Sequence, residues 1–138
     1  RRGRNLQDEN DLYDATAGLP QRDFEINFEF NSWAIRSDAK PILDALGEAL
    51  TRDNLKGNRI VIYGHTDKVG SWDYNKKLSQ LRADAVARYL ADNFKLDPQN
   101  MYAVGFAFDK LKNRSDPEGS ENRRVQVING GSKPTSTP

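Results

Sequence analysis

Arg82 is the charged residue that stands in the least expected place in this sequence. Apolar residues recur at helical spacing from residue 71 to about residue 93, and this pattern predicts a long helix. On a helical wheel that starts at Leu78, with about 100° per residue, Arg82 falls near 40° and Val86 near 80°. The guanidinium therefore lies within the apolar stripe, where a permanent charge is costly unless it is paired or solvated. The sequence requires an acidic partner or a wet pocket beside the first turns of this helix.

Asp67 is the nearest acid that could meet this requirement. It lies in the loop 64–70, just past the carboxyl end of a short apolar strand, where α/β sheets usually bind ligands. Asn75 shares the helical face of Arg82, two turns earlier. One interpretation is a structural salt bridge between Asp67 and Arg82. The other is a pocket in which the two charges stay apart and bind a zwitterion, with its carboxylate on Arg82 and its ammonium on Asp67.

His65 is the only histidine of the chain and the obvious candidate for catalysis. A metal site needs at least three protein ligands, and only Asp67 stands at useful spacing from His65. No G-x-S-x-G nucleophile motif is present, and a chain without cysteine has neither disulfides nor thiolate zinc sites. We therefore predict no catalytic residue, no metal and no cofactor, and a structural hydrogen bond for His65. The alternative is a small hydrolase or a metal-dependent enzyme centred on His65 and Asp67.

Length and charge limit the remaining classes of function. The 138 residues suffice for one domain, and 21 basic against 20 acidic residues leave a net charge of +1. A nucleic-acid binder that depends on a strong positive field is therefore excluded. We interpret residues 1–21 as a linker, residues 22–129 as the folded domain and residues 130–138 as a flexible tail.

The elements of the domain follow from hydrophobic periodicity. Alternation around residues 24–30 predicts a strand, and five more segments predict a helix, a strand, the long helix and a closing pair of strands that resembles a hairpin. The order β-α-β-α-β-β predicts an α/β two-layer sandwich, with the helices on one face of a mixed four-stranded sheet. The residues predicted to face the core are Phe24, Ile26, Phe28 and Phe30, then Ile42, Leu43, Leu46 and Leu50, then Leu78, Leu81, Ala85, Val86, Tyr89 and Leu90.

Two adjacent arginines, Arg123 and Arg124, stand where the last strand begins. Neighbouring side chains of a strand point to opposite faces, so only one of the two can serve a given site. We expect Arg123 to lie at a solvated edge. For Trp33, Trp72 and Tyr74, which lie near the same rim, we expect packing rather than ligand stacking.

These motifs together closely resemble the OmpA C-terminal-like family, which includes peptidoglycan-associated lipoproteins and the periplasmic parts of flagellar stator proteins. The resemblance covers roughly residues 22–129. It rests on Gly-His-Thr-Asp at 64–67, Gly70, Tyr74-Asn75, Leu78-Ser79, Arg82-Ala83, Gly105 and Glu121-Asn122-Arg123-Arg124-Val125. The loop 109–120 is longer than in many relatives.

The resemblance implies a noncatalytic module of the periplasm that binds peptidoglycan without a covalent bond, associated with the outer membrane of a Gram-negative bacterium. Any membrane anchor would lie outside this chain. In the family the ligand is the diaminopimelate of the stem peptide, whose ammonium binds the residue that matches Asp67 and whose carboxylate binds the residue that matches Arg82. The supporting positions are Asn31, where the family often has Asp, together with Thr66, Asn75 and Arg124.

Overall fold

The structure is a computed structural model that describes residues 5–17, 25–52 and 57–131. Within these ranges, three short 3-10 turns accompany the main elements, over Ser37–Ala39, Pro98–Asn100 and Ser120–Asn122. None of the helices within these three ranges is long and apolar enough to cross a membrane. The helices are α1 (Leu6–Thr16), α2 (Lys40–Leu50) and α3 (Trp72–Phe94), and the strands are β1 (Glu25–Asn27), β2 (Ile60–Gly64), β3 (Met101–Gly105) and β4 (Arg124–Asn129).

The four strands form one mixed sheet in the order β1-β4-β2-β3. β2 runs parallel to β3, whereas β4 runs antiparallel to both β1 and β2. The predicted mixed four-stranded sheet is confirmed, but the prediction that the last two strands pair as a hairpin is wrong. β4 inserts between β1 and β2, because the long connection after β3 carries the chain past β2 before it turns back.

The predicted core on one face of the sheet is largely confirmed. α2 and α3 pack there, and Ser71 caps α3 by accepting a hydrogen bond from the Tyr74 amide at 3.1 Å. Ile42 and Leu81 are instead exposed, at 41% and 40%. Each stands one residue, or about 100° of helical rotation, before a buried residue, so its own side chain points to the side of the helix. The buried residues of this layer include Ile26, Phe28, Leu43, Leu46, Leu50, Ile60, Ile62, Ala83, Val86, Leu90, Val125 and Val127.

Two glycines allow α3 to lie directly on the ends of the central strands. A β-carbon on Gly64 would stand 2.0 Å from the Ser79 carbonyl oxygen, and one on Gly105 would stand 2.3 Å from the Gln80 amide nitrogen. Either contact is impossible, so any other residue would push the helix away. The close approach brings the first turns of α3 beside the loop that leaves β2.

The predicted linker contains α1, a helix that packs on the opposite face of the sheet. The Tyr13 ring lies 5.2 Å from the Tyr63 ring and 5.1 Å from the Phe106 ring, and the Thr16 and Tyr63 hydroxyls are hydrogen-bonded at 2.7 Å. Glu9 forms an ion pair with Lys76 at 2.5 Å. The sequence pattern missed this helix because half of its inward face is polar. Phe24 and residues 132–138 of the predicted tail lie outside the described residues.

We expect Tyr13→Ala to lower the free energy of unfolding by about 2 kcal/mol, because it removes an aromatic ring that packs against two others. Urea unfolding followed by circular dichroism measures the change. Leu6→Ala is the matched control on the same helix, where the side chain is 51% exposed, and should change the free energy by less than about 0.5 kcal/mol. Equal effects of the two variants would contradict the packing of α1 on the sheet.

Candidate functional site

A small recess lies where β2 ends and α3 begins. Its walls come from the loop after β2, the first turns of α3, the turn after β1 and the segment that leads into β4. Its cavity volume is only about 20 Å³, room for little more than one water molecule, so the recess is nearly closed. The residues that line it are Phe30, Asn31, Thr66, Asp67, Val69, Tyr74, Asn75, Leu78, Arg82 and Arg123. Five of the six predicted binding residues are therefore together: Asn31, Thr66, Asp67, Asn75 and Arg82.

The Arg82 guanidinium is fully buried and is held by backbone carbonyls. Nε donates to the Ser32 carbonyl at 2.8 Å, Nη1 to the His65 carbonyl at 3.0 Å and Nη2 to the Glu29 carbonyl at 3.0 Å. Burial lowers the pKa of Arg82 to about 10, while the Asp67 charge opposes this shift and the Arg123 charge adds to it. Arg82 is thus a cation at neutral pH. It ties the turn after β1 to the end of β2.

The Asp67 carboxylate is paired with Arg123. Oδ2 accepts a hydrogen bond from Arg123 Nη1 at 3.1 Å, and Oδ1 accepts one from the Val69 amide at 3.1 Å. Asp67 itself is only 3% exposed. The salt bridge that the sequence suggested for Asp67 and Arg82 is therefore made by a different arginine. The buried acid and the buried base line the same recess and have separate partners.

The two arginines at the start of β4 are placed opposite to expectation. Arg123 Nε donates to the Phe28 carbonyl at 3.0 Å, and its side chain is 18% exposed, so it does not lie at a solvated edge. Arg124 points away from the recess, and its Nη2 donates to the Lys110 carbonyl at 3.0 Å. Only Arg123 of the two lines the recess. The sequence could not say which, because that depends on how β4 sits in the sheet.

The polar side chains around the recess have distinct roles. Asn75 donates to the Val69 carbonyl at 2.8 Å and to the Ser71 carbonyl at 2.9 Å, and so holds the loop against α3. Thr66 is buried, and its hydroxyl oxygen has no hydrogen-bond partner within the described ranges. Asn31 adopts a φ of 61°, which places it in the left-handed region that Asn tolerates better than most residues.

Exposed aromatic side chains form the rim of the recess. Phe30 is 57% exposed and Tyr74 is 46% exposed, although the alternation of the first strand predicted a buried Phe30. β1 ends at Asn27, so the pleat that would bury Phe30 does not reach it. Trp33 is also half exposed, contrary to the packing that we expected, whereas Trp72 donates its indole N–H to Asp109 at 2.9 Å.

The ring of His65 does not line this recess, although its backbone carbonyl accepts a hydrogen bond from Arg82. Its ring is 1% exposed, stacks near Phe106 with ring centroids 6.1 Å apart, and is hydrogen-bonded to Gln126 at 2.7 Å. Burial, aided by the Arg124 charge, lowers the pKa of His65 to about 3, so the ring is neutral at pH 7. Its ring is hydrogen-bonded to Gln126, whereas the Asp67 carboxylate is hydrogen-bonded to Arg123 and to the Val69 amide. Within residues 5–17, 25–52 and 57–131, no three acidic or histidine side chains are grouped to hold a metal ion.

Comparison with known proteins assigns this arrangement to a family. Residues 27–124 match the sequence model of the OmpA family. The outer membrane protein A of Bordetella avium is 30% identical over 108 residues, which cover 77% of this chain and 54% of that protein. The peptidoglycan-associated lipoprotein of Pseudomonas putida is 32% identical over 102 residues, covering 72% of this chain and 59% of that protein. This chain thus spans less than two thirds of either relative.

A solved structure has the same architecture. The peptidoglycan-associated lipoprotein from Burkholderia pseudomallei superimposes with a TM-score of 0.66 at 26% identity, over 75% of this chain and 87% of that one. A putative MotB-like protein from Desulfovibrio vulgaris superimposes with a TM-score of 0.64 at 19% identity, over 95% and 91% of the two chains. The second likeness concerns the fold alone.

We expect Arg82→Lys to lower the free energy of unfolding by about 2–3 kcal/mol, because a lysine ammonium cannot reach three carbonyls that a planar guanidinium reaches. Thermal and urea unfolding measure the loss. Arg88→Lys, at an exposed position on the same helix, is the control and should be close to neutral. A neutral Arg82→Lys variant would show that the three hydrogen bonds do not support the fold.

We expect the wild type to lose about 2 kcal/mol of stability between pH 7 and pH 5 through His65 alone. The folded-state pKa of about 3 lies below the unfolded value of about 6.5. The unfolded chain therefore takes up a proton in this interval and the folded chain does not, so stability falls as the pH falls. His65→Gln should remove this part of the slope when urea unfolding is compared at the two pH values. Identical slopes would refute the buried neutral ring.

Proposed function

The chain belongs to the OmpA family, and we propose that it binds peptidoglycan without a covalent bond and connects a protein of the periplasm or outer membrane to the cell wall. One observation carries the proposal: a buried acid and a buried base line one recess and are not paired with each other. The names of the lipoprotein relatives, which describe association with peptidoglycan, agree with it.

We infer that the ligand is the zwitterionic end of a diaminopimelate residue in the stem peptide. Arg82 uses three of its five N–H groups on carbonyls, which leaves two for a carboxylate. Asp67 can accept an ammonium beside its contact with Arg123. The unpartnered Thr66 hydroxyl supplies a further polar group at the wall of the recess. A ligand with one positive and one negative end matches this set.

Entry of the ligand requires the rim to open. Arg82 has no exposed surface, so a carboxylate reaches it only when the walls above it move apart. The exposed side chains of Phe30, Asn31 and Tyr74 belong to that wall and are the groups least constrained by packing. The binding energy therefore includes the cost of this opening, which favours modest affinity for one site. Many such sites on a polymeric wall would strengthen attachment through avidity.

We expect Asp67→Asn to reduce co-sedimentation with purified peptidoglycan by about tenfold or more, because the amide keeps the shape of the side chain and removes the charge that meets the ammonium. Asp84→Asn is the matched control, since Asp84 is an exposed carboxylate on α3 outside the recess. His65→Gln should bind like the wild type, whereas an enzyme centred on His65 would lose its activity.

The chemistry of the ligand is tested by competition. Free diaminopimelate should release the wild-type protein from peptidoglycan, and diaminopimelate with its carboxylates converted to amides should not. Undiminished sedimentation of the Asp67→Asn variant, together with no effect of free diaminopimelate, would overturn the assignment of the recess as the binding site.

A further inference from the structure

A second depression adjoins the recess and shares Arg123 with it. This groove runs along β1, the edge strand of the sheet, and is closed on its far side by the 3-10 turn that precedes α2. Its cavity volume is about 280 Å³, and it opens to solvent. Its polar lining consists of Glu25, Asn27, Arg36, Asp38, Ser120 and Arg123. Arg123 is the residue common to both linings.

The carboxylates of the groove already have cationic partners. Asp38 accepts two hydrogen bonds from Arg36, at 3.0 and 2.8 Å, and Glu25 pairs with Lys112 at 2.5 Å. Arg36 also contacts Glu29 at 3.2 Å, so its guanidinium is committed on both sides. Neither acid of the groove therefore needs Arg123.

Arg123 retains an amino group that neither of its two partners uses. Its Nε donates to the Phe28 carbonyl and its Nη1 to Asp67, while Nη2 has no hydrogen bond in the described part of the chain. The exposed side chains of Asn27 and Ser120 stand on the same groove and offer an amide and a hydroxyl. An arginine with a spare amino group beside two neutral donors suits a carboxylate.

The charge of the recess leads to the same conclusion. It contains two cations, Arg82 and Arg123, and one anion, Asp67. A zwitterion adds no net charge, so one partly buried positive charge remains unbalanced after the ligand binds. A ligand that carries a second carboxylate beside the zwitterion would neutralise it.

We propose that the groove binds a second carboxylate of the same ligand, that of the glutamate residue joined to the diaminopimelate, and that Arg123 is the group that recognises it. This proposal rests on the proposed function, because the diaminopimelate must occupy the recess for its neighbour to reach the groove. Arg123 then has two contacts at once: it holds Asp67 in place and it selects stem peptides whose glutamate carboxylate is free.

The test compares two synthetic tripeptides, L-alanyl-γ-D-glutamyl-diaminopimelate and the same peptide with the glutamate α-carboxylate converted to an amide. Isothermal titration calorimetry should give the wild type a preference of about tenfold for the free carboxylate. Arg123→Gln should bind both peptides more weakly, since Asp67 loses its partner, and should also lose the preference. Arg123→Lys retains the positive charge and should keep part of the preference for the free carboxylate.

The ratio of the two affinities separates recognition from positioning. If Arg123 only positions Asp67, Arg123→Gln weakens the binding of both peptides equally, and the variant keeps the preference of the wild type. That result would overturn the proposal. Arg88→Gln is the matched control for the loss of one positive charge, since Arg88 lies outside the recess and the groove. This variant should prefer the free carboxylate as strongly as the wild type does. Circular dichroism verifies that each variant is folded.

The outcomes also separate this proposal from the one on which it rests. Equal binding of the two peptides by the wild type would refute the second subsite and leave the recess assignment standing. No binding of either peptide by a folded wild type would refute the recess itself.

Discussion

The structure depends on one buried cation that is satisfied by backbone oxygen atoms. Arg82 donates to carbonyls from the turn after β1 and from the end of β2, segments that are far apart in the sequence. A guanidinium suits this task because it is planar and presents several donors in fixed directions. Its desolvation is costly, and the three hydrogen bonds together with the nearby Asp67 charge offset that cost. Arg82 therefore both supports the fold and lines the recess.

The position of α3 makes this arrangement possible. Gly64 and Gly105 let the helix backbone contact the ends of β2 and β3, and Asn75 holds the loop 64–70 against the helix. Side chains from four separate segments thereby converge on a small volume. The charged groups lie in a poorly solvated recess. Electrostatic interactions are stronger there than at the protein surface. The proposed binding of a small dipolar ligand requires that the acid and the base keep separate partners, as Asp67 and Arg82 do.

The two faces of the sheet have different tasks. The face under α2 and α3 carries the main core and supports the recess, while the opposite face is covered by α1 and contains the neutral His65. The Glu9–Lys76 ion pair joins α1 to the first turns of α3, next to Asn75. The segment before β1 is thus physically connected to the helix that lines the site.

The sequence by itself determined much of this protein. Helical spacing placed Arg82 and Asn75 on the buried side of α3, the apolar run of residues 59–63 predicted a central strand, and the motif at 64–67 located Asp67 at the end of that strand. These features are local, because periodicity and caps depend on near neighbours in the chain. The family and the mixed sheet followed from them, and five of the six residues predicted to bind ligand line one recess.

Only the tertiary structure decided the remaining features. The insertion of β4 between β1 and β2 depends on long-range pairing, and it determines that Arg123 rather than Arg124 meets Asp67. The exposure of Phe30 follows from the point at which β1 stops pairing, and the helix α1 is stabilised by aromatic contacts with residues about 50 and 90 positions away in the sequence. In each case the deciding energy comes from contacts between segments distant in the chain, and no local pattern of residues records such contacts.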